Sequence, residues 1–403
     1  MRCFLSLLLC LVTASLFAQK PVLVGYLPQW GVYGTPPWSA RQLVTSGSAA
    51  LLDQINYSQA FIVDGRCAVA DPQADLQHVY TAQTSVDGTA DSSTGAASLK
   101  GEFHQLQELH RLYPRIRMLI SLEGKAAAFA DAAQPEKRVA FVASCIDMFL
   151  RGNLAPNITA QRLFSGIDVD WEYPSGPNDG ANYNALMAEF RRQLDAYGVT
   201  THTRPMLTIA AAPGLGRYPG VDWPLVARIV DQIGLMNYDY NGPWQKMTGT
   251  VAPLYAIPGV SLEGGNVDGT VAEYEGAGVP AGKLLMGVPF YGYHWSGITD
   301  AGAQHGLGVS GQAEHGDTPY HEIAVLPGPG TVFRDPHSQA PWLYDGDSFW
   351  TFDDPVSVAA KAEYARAHGM GGMMIWELSG DTADGVLVKA MHRGLEASGK
   401  GSR

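Results

Sequence analysis

Eight short apolar runs, separated by longer amphipathic stretches, restrict this chain to an α/β architecture. Each run is flanked by turn residues, which is typical of buried parallel strands. The runs are 22–26, 54–63, 117–121, 166–171, 206–211, 232–238, 283–291 and 371–376. Eight strands alternating with helices predict a (β/α)8 TIM barrel. A doubly wound open sheet is the alternative, but no phosphate-binding glycine loop follows the first run.

The seventh and eighth runs are far apart in the sequence. Residues 293–350 between them are rich in Gly, Pro, His and aromatic residues, and short β-like pieces alternate with turn signals. This pattern predicts a small inserted subdomain beside the top of the barrel, and a long structured loop is the alternative. The predicted barrel then comprises residues 19–292 and 351–403.

The amino-terminal segment predicts export of the protein. A positive Met1-Arg2 precedes an apolar run, and Ala18 is followed by polar residues. This is typical of a secretory signal peptide over residues 1–18, and an uncleaved anchor is the alternative. We therefore expect a secreted or periplasmic protein without membrane contact after cleavage.

Cysteine usage changes after the signal segment. Cys67 and Cys145 are the cysteines of the mature chain. They could form one disulfide, or Cys145 could be a buried free thiol in a helical stretch, and the sequence leaves both open. Neither Cys nor His residues have zinc-site spacing, so no metal or cofactor is predicted.

Charge and aromatic content narrow the class of partner. The chain has 27 basic and 39 acidic residues, a net charge of −12. This disfavours binding to nucleic acid or to an anionic membrane. The 9 Trp and 18 Tyr residues favour a neutral ligand with apolar faces, such as a sugar. We expect a monomer.

Three acidic residues alternate along the fourth run, at Asp168, Asp170 and Glu172. Residues two apart in a strand share a face, so the three carboxylates point the same way. The apolar residues between them must pack against helices, which directs the acids into the barrel. Glu172 is at the carboxyl end, where barrel enzymes perform chemistry. An exposed acidic edge strand does not account for Val169 and Trp171.

The segment 165–172 resembles the signature D-G-x-D-x-D-x-E of the family 18 glycoside hydrolases, the chitinases. The resemblance covers essentially the whole mature chain. It implies the family's (β/α)8 barrel with a small α+β insertion subdomain between strands seven and eight. Further similar segments are 24–30, 55–61, 236–239, 287–292, 353–361 and 371–376.

The resemblance implies a hydrolase of β-1,4-linked N-acetylglucosamine polymers, chitin or chitooligosaccharides. It makes Glu172 the general acid of a retaining mechanism in which the substrate's own acetamido group is the nucleophile. Asp170 would bind the acetamido N–H and stabilise the oxazolinium intermediate. Asp168 would share a proton with Asp170, and Tyr238 would hold the acetamido oxygen.

The resemblance also implies a set of substrate-binding residues around the barrel mouth, with Trp376 as the floor under a sugar ring. The set is Tyr26, Tyr173, Met236, Asp239, Trp244, Tyr291 and Trp376. Read alone, Tyr26, Met236 and Trp376 could be core residues and Asp239 a helix N-cap.

The sequence departs from the family pattern at four positions. Ser165 stands at the first acid of the signature, so the proton-sharing row is expected to lose one member. Glu123 replaces a glycine, Lys125 an aromatic residue, and Tyr293 a frequent arginine. The altered third strand leaves open a hydrolase of N-glycan cores or peptidoglycan-like glycans. A non-catalytic chitin-binding lectin on the same barrel is a further alternative, which the presence of Glu172 disfavours.

Overall fold

A closed barrel of eight parallel strands forms the centre of the molecule. The computed structural model describes residues 20–91, 99–260, 264–299, 301–326 and 331–396, so the predicted signal peptide lies outside the described residues. The strands are β1 Val22–Pro28, β2 Gln54–Val63, β3 Arg117–Leu122, β4 Gly166–Val169, β5 Met206–Ala211, β6 Gln232–Leu235, β7 Leu284–Pro289 and β8 Gly372–Trp376. β1 pairs with both β2 and β8, which closes the sheet and confirms the predicted TIM barrel.

Helices follow the strands and cover the outside of the barrel. They are α1 Ala40–Ser46, α2 Gly101–Leu112, α3 Ala126–Ala132, α4 Arg138–Cys145, α5 Asp179–Thr201, α6 Trp223–Ile229, α7 Val267–Gly276, α9 Pro355–Ala367 and α10 Val386–Glu396. The short helix α8, Tyr320–Ile323, lies between β7 and β8 and contacts the strands Tyr291–Ser296 and Thr318–Pro319 instead. Local sequence explains where α9 begins. The Asp354 carboxylate accepts hydrogen bonds from the backbone N–H groups of Val356 and Ser357, and Pro355 fixes the first helical residue.

Alternation along β4 separates an apolar face from an acidic one. Val169 and Trp171 belong to the large apolar cluster between the barrel and its helices, and Trp171 stacks on Phe129 with ring centroids 5.5 Å apart. Asp168 is 1% exposed on the opposite face. The acids therefore point into the barrel, as the spacing predicts.

A second, antiparallel sheet continues directly from β7. Its strands are Tyr291–Ser296, Gln312–Ala313, Thr318–Pro319, Thr331–Arg334, Pro341–Tyr344 and Phe349–Thr351. The sheet begins two residues before the predicted boundary at 293 and ends one residue after 350. The division of the chain into domains at these residues stays a prediction.

A disulfide joins a hairpin of the barrel to a helix. Asp64 and Gly65 have φ angles of 49° and 68°, the left-handed conformation of a tight hairpin, and they place strand Arg66–Val69 antiparallel to β2. Cys67 of this strand is bonded to Cys145, the last residue of α4, with Cα atoms 4.9 Å apart. The structure thus selects the pairing that the sequence left open.

Candidate active site

Asp168 lies inside the barrel in a network of hydroxyl groups. Its Oδ2 atom accepts hydrogen bonds from the Tyr26 hydroxyl at 2.6 Å and the Ser121 hydroxyl at 2.9 Å, and its Oδ1 atom accepts one from Thr208. Burial raises the pKa of Asp168, and these donors act in the opposite direction because they stabilise the anion.

Asp170 follows one step nearer the mouth and has a different environment. Its side chain is buried, and its Oδ1 atom has no hydrogen-bond partner within the described part of the chain. Loss of hydration raises the pKa of Asp170 well above its ordinary value, and the charges of Glu172, Glu123 and Asp168 raise it further. A buried carboxyl group of this kind favours its protonated form.

Glu172 lies beyond the end of β4, exposed to the cleft. The protein around its carboxyl group removes part of its hydration and so raises its pKa, and Asp239 acts in the same direction. A hydrogen bond from Tyr173 and the charge of Arg217 oppose this shift. The result is a solvent-accessible acid whose pKa is raised, which suits a proton donor.

A cavity of about 510 Å³ opens above these acids at the carboxyl end of the barrel. It is lined by Asp170, Glu172, Tyr173, Pro213, Met236, Tyr238, Asp239, Tyr291 and Trp376. Of the substrate-binding residues that the sequence predicts, Tyr26 and Trp244 do not line this cavity. Tyr26 lies beneath it, with its ring centroid 5.3 Å from that of Trp376.

Tyr238 is a buried donor at the base of the cavity. Its hydroxyl group contacts the Met374 sulfur at 4.0 Å, a weak interaction and the one hydrogen bond it makes among the described residues. Burial raises the pKa of Tyr238, so the group keeps its proton. The hydroxyl can therefore donate a strong hydrogen bond to a ligand.

Asp239 is held by two tyrosines. Its Oδ1 atom accepts hydrogen bonds from the hydroxyl groups of Tyr291 at 2.6 Å and Tyr293 at 2.8 Å. The N-cap interpretation of Asp239 is wrong, because the next helix, α7, is capped by the Asn266 side chain. Tyr293, which the sequence marks only as a departure, thus takes part in fixing a cavity residue.

Known proteins are similar to this chain in both sequence and fold. The sequence profile of Glycosyl hydrolases family 18 matches residues 22–381. The chain belongs to this family. It is 33% identical to Chitinase C of Streptomyces lividans over 375 residues, which cover 90% of this chain and 58% of that protein. It is also 33% identical to Chitinase 63 of Streptomyces plicatus over 387 residues, which cover 93% and 60%.

A solved structure extends this comparison to the fold. The catalytic domain of psychrophilic chitinase B from Arthrobacter TAD20 superposes with a TM-score of 0.85 at 31% identity, covering 95% of this chain and 97% of that one. The present chain spans less than two thirds of either Streptomyces protein. Among the described residues, none of the helices has the length and apolar character needed to cross a membrane.

The family 18 cleft continues into a second, wider cavity of about 1210 Å³. It shares Tyr173, Pro213 and Asp239 with the first cavity and adds Trp244 and Arg217. Trp244 is 58% exposed, and its ring centroid lies 5.7 Å from that of Tyr293. Sequence reasoning missed Pro213 and Arg217 because the loop after β5 carries no motif.

The structure places three further departures from the family 18 pattern, Ser165, Glu123 and Lys125. Ser165 is exposed just before β4 begins, at the end opposite the cavity, and its hydroxyl donates to the Met118 carbonyl at 3.2 Å. The expectation that Ser165 shortens the acidic row inside the barrel is therefore wrong. Glu123 directly follows β3, and its Oε1 atom accepts a hydrogen bond from Ser58 at 2.5 Å. Lys125 is exposed at the rim.

Proposed function

We propose that this chain is a secreted glycoside hydrolase that cleaves β-1,4-linked N-acetylglucosamine polymers, chitin or chitooligosaccharides, with retention of configuration. Membership of family 18 and the chitinases among its relatives support the reaction class. The proposal assigns Glu172 as general acid, with Asp168, Asp170 and Tyr238 as its catalytic partners.

One observation carries the proposal. The cavity that contains Glu172 also presents a buried Asp170 carboxyl oxygen and the Tyr238 hydroxyl. Among the described residues, the first has no hydrogen-bond partner and the second contacts only the Met374 sulfur. An acetamido group is an amide, with one N–H donor and one carbonyl acceptor. It would satisfy both groups at once, which relieves the penalty of an unpaired buried polar atom.

The chemical steps follow from these positions. Glu172 protonates the glycosidic oxygen while the acetamido oxygen attacks the anomeric carbon, so the leaving sugar departs and an oxazolinium ion forms. Asp170 stabilises the positive charge through the acetamido N–H. The Glu172 carboxylate then takes a proton from water, and the water oxygen attacks the anomeric carbon and breaks its bond to the acetamido oxygen. Two inversions give the β-anomer.

Aromatic side chains supply the apolar surface that a sugar ring requires. The Trp376 ring lines the cavity, with the Tyr26 and Trp30 ring centroids 5.3 Å and 6.2 Å from its own. Stacking of a sugar face on such a ring contributes about 1 kcal/mol. Met236 and Tyr291 complete the wall around this position.

The Cys67–Cys145 disulfide supports the secreted part of the proposal. Disulfides persist in oxidising compartments and are rare in reducing ones. The bond agrees with the signal peptide that the first 18 residues predict. Release of the protein into the medium, with the chain cut near residue 18 and the bond intact, is the corresponding measurement.

The reaction is tested by identifying products. The mature protein is incubated with N-acetylglucosamine oligomers, fully deacetylated chitosan, an N-glycosylated protein and peptidoglycan, and the products are identified by mass and by the NMR signal of the new anomeric proton. We expect cleavage of the acetylated oligomers with an initial β-anomer and no cleavage of chitosan. An initial α-anomer, or equal cleavage of chitosan, would contradict substrate assistance. If products form only from the glycoprotein or from peptidoglycan, the substrate is reassigned to that glycan.

Glu172→Gln tests the acid. Glutamine keeps the shape of the side chain but cannot donate a carboxylic proton, so we expect turnover to fall at least about 100-fold with oligomer binding largely retained. The matched control is Glu322→Gln on α8, an exposed glutamate outside both cavities. Normal turnover of purified, folded Glu172→Gln would reject the assignment. Oligomer binding by the wild type without any turnover would favour the non-catalytic lectin.

A further inference from the structure

Glu123 adds a fourth carboxyl group to the acidic row, from the neighbouring strand. Ser121 on β3 pairs with Asp168 on β4, and the pairing of Lys125 with Glu172 continues the same register past the strand ends. That register places Glu123 beside Asp170, about 4.8 Å away between backbones. The Asp170 N–H donates to the Leu122 carbonyl at 2.9 Å, which fixes this alignment.

The Glu123 side chain shares the inner face with these acids. Ser121 points inward, since its hydroxyl donates to Asp168, and Glu123 follows two residues later on the same face. From β2, the fully buried Ser58 donates to the Glu123 carboxyl group at 2.5 Å. A carboxyl group anchored in this way has a fixed place beside the site.

The groups that face Glu123 are mostly acidic. Asp168, Asp170 and Glu172 interact with it from β4 and the segment after it. Ser58 of β2 donates a hydrogen bond to Glu123, and Tyr26 of β1 donates one to Asp168. The nearby cations are peripheral: Lys125 is exposed at the rim, and Arg217 acts on Glu172 from the second cavity.

We propose that Glu123 is a positioning residue for the proposed hydrolysis, one that keeps the proton on the Asp170–Glu172 pair as the pH rises. The inference rests on the proposed function. Glu172 must be protonated to act, and a negative charge on Glu123 opposes ionisation of the neighbouring carboxyl groups. Glu123 thereby supplies, from β3, a fourth acid beside the site.

The pH range of this effect follows from the group itself. Loss of hydration, together with the charges of Asp168 and Glu172, raises the pKa of Glu123 to about 7. Glu123 therefore gains its charge near neutral pH. The same charge then raises the pKa of Asp170, so its influence falls on the alkaline side of the activity profile.

The test is the pH dependence of kcat/KM on an N-acetylglucosamine oligomer. Glu123→Gln removes the charge but keeps an oxygen that can accept from Ser58, and we expect the alkaline limb to move to lower pH by about one unit. Glu123→Asp retains the charge, so we expect its alkaline limb to stay close to that of the wild type. Ser58→Ala removes a donor that stabilises the anion, so it should move the limb in the same direction by a smaller amount. Ser58→Ala carries the test if Glu123→Gln does not fold.

Glu377→Gln is the matched control. Glu377 also follows a barrel strand, accepts a serine hydroxyl bond from Ser379 and has its pKa raised by burial to about 7, but the charge that acts on it comes from Asp317. We expect its alkaline limb to equal that of the wild type. An unmoved limb in folded Glu123→Gln, or an equal shift in Glu377→Gln, would overturn the inference.

A direct titration separates this inference from the proposed function. Carboxyl resonances of 13C-labelled protein report the titration of the acids whether or not an oligomer is cleaved. Lower apparent pKa values of the Asp170–Glu172 pair in Glu123→Gln would support the coupling. If the wild type cleaves no oligomer, the proposed function fails on its own. If the wild type is active and the resonances do not move, only the inference fails.

Discussion

Ser165 sits at the exposed amino end of β4, three residues before Asp168. Three residues of strand span about 10 Å, and the Debye length at physiological ionic strength is about 8 Å. A charge placed there, next to solvent, is therefore screened from the acids near the mouth. We expect Ser165→Asp to leave the alkaline limb of the activity profile unchanged, as measured beside a melting curve. An upward shift in the folded variant would show that long-range coupling along β4 is stronger than screening allows.

Single residues differ in how well the sequence predicts their role. Asp168, Asp170 and Glu172 could be placed on one face because strand alternation is a local rule. Glu123 could not be joined to them, because its position beside Asp170 depends on the register between two strands that 43 residues separate. The sequence marks Tyr293 only as a departure from a family pattern, because its contact with Asp239 requires the strand Tyr291–Ser296 and the segment after β6 to meet in space.

At the scale of secondary-structure elements, the disulfide links the strand Arg66–Val69 to helix α4 and stabilises the fold around the site. Cys67 and Cys145 are 78 residues apart, so their bond removes much of the freedom of the unfolded chain. We expect Cys67→Ser to lower the free energy of unfolding by about 2–4 kcal/mol. Cys145→Ser should lower it similarly, and the double variant no further, because either change removes the same bond. Melting curves of the three variants check this, and clearly additive losses would contradict it.

A buried acidic cluster between β2 and α2 gives a pH dependence of its own. The Tyr57 and Tyr80 hydroxyl groups donate to Asp75 and Glu102, all four side chains are buried, and Glu102 Oε2 has no partner in the described residues. Burial raises the pKa of Glu102 from its ordinary 4.5 to about 8. The folded protein therefore binds a proton that the unfolded chain releases, so stability falls as pH rises from about 4.5 to about 8.

Glu102→Gln should remove this dependence. The substitution leaves an unpaired amide N–H at every pH, so the variant can be less stable than the wild type in acid. We expect the difference in unfolding free energy, variant minus wild type, to become steadily more favourable from pH 5 to pH 8. Denaturant unfolding at several pH values measures it. Glu108→Gln, on the same helix but partly exposed and paired with Arg111, is the control, and the same slope in both variants would reject the assignment to Glu102.

At the scale of the whole molecule, the barrel can be predicted because each strand has a local signal, a short apolar run flanked by turn residues. Runs such as Met206–Ala211 are buried on both faces and coincide with the predicted segment. Strand ends were less predictable. β4 stops at Val169 and β6 at Leu235, each two or three residues early, because hydrogen-bonded pairing ends where the chain opens to form the cavity. The sequence contains no signal for that departure, which depends on the neighbouring strands.

The second sheet and the barrel share one apolar cluster. Trp295, Trp342 and Phe349 of the sheet pack in the same cluster as Tyr26 and Met374 inside the barrel. Backbone and side-chain hydrogen bonds reinforce the contact: the Val251 N–H donates to the Thr351 hydroxyl at 2.8 Å. A shared core of this kind predicts that the two sheets unfold together, although residues 293–350 are separate in composition from the rest of the chain.

Phe349→Ala tests this coupling. Removing a fully buried phenylalanine lowers the free energy of unfolding by about 3–5 kcal/mol, and the loss should reach the barrel if the cluster is common to both. We expect a single calorimetric transition that moves to lower temperature, with faster hydrogen exchange in peptides from β1 and β8. Val332→Ala in the same sheet is the control, since Val332 is 50% exposed and its loss should change stability by no more than about 0.5 kcal/mol. Two separate transitions, or faster exchange confined to the second sheet, would mean that the insertion is an independent folding unit attached to the barrel.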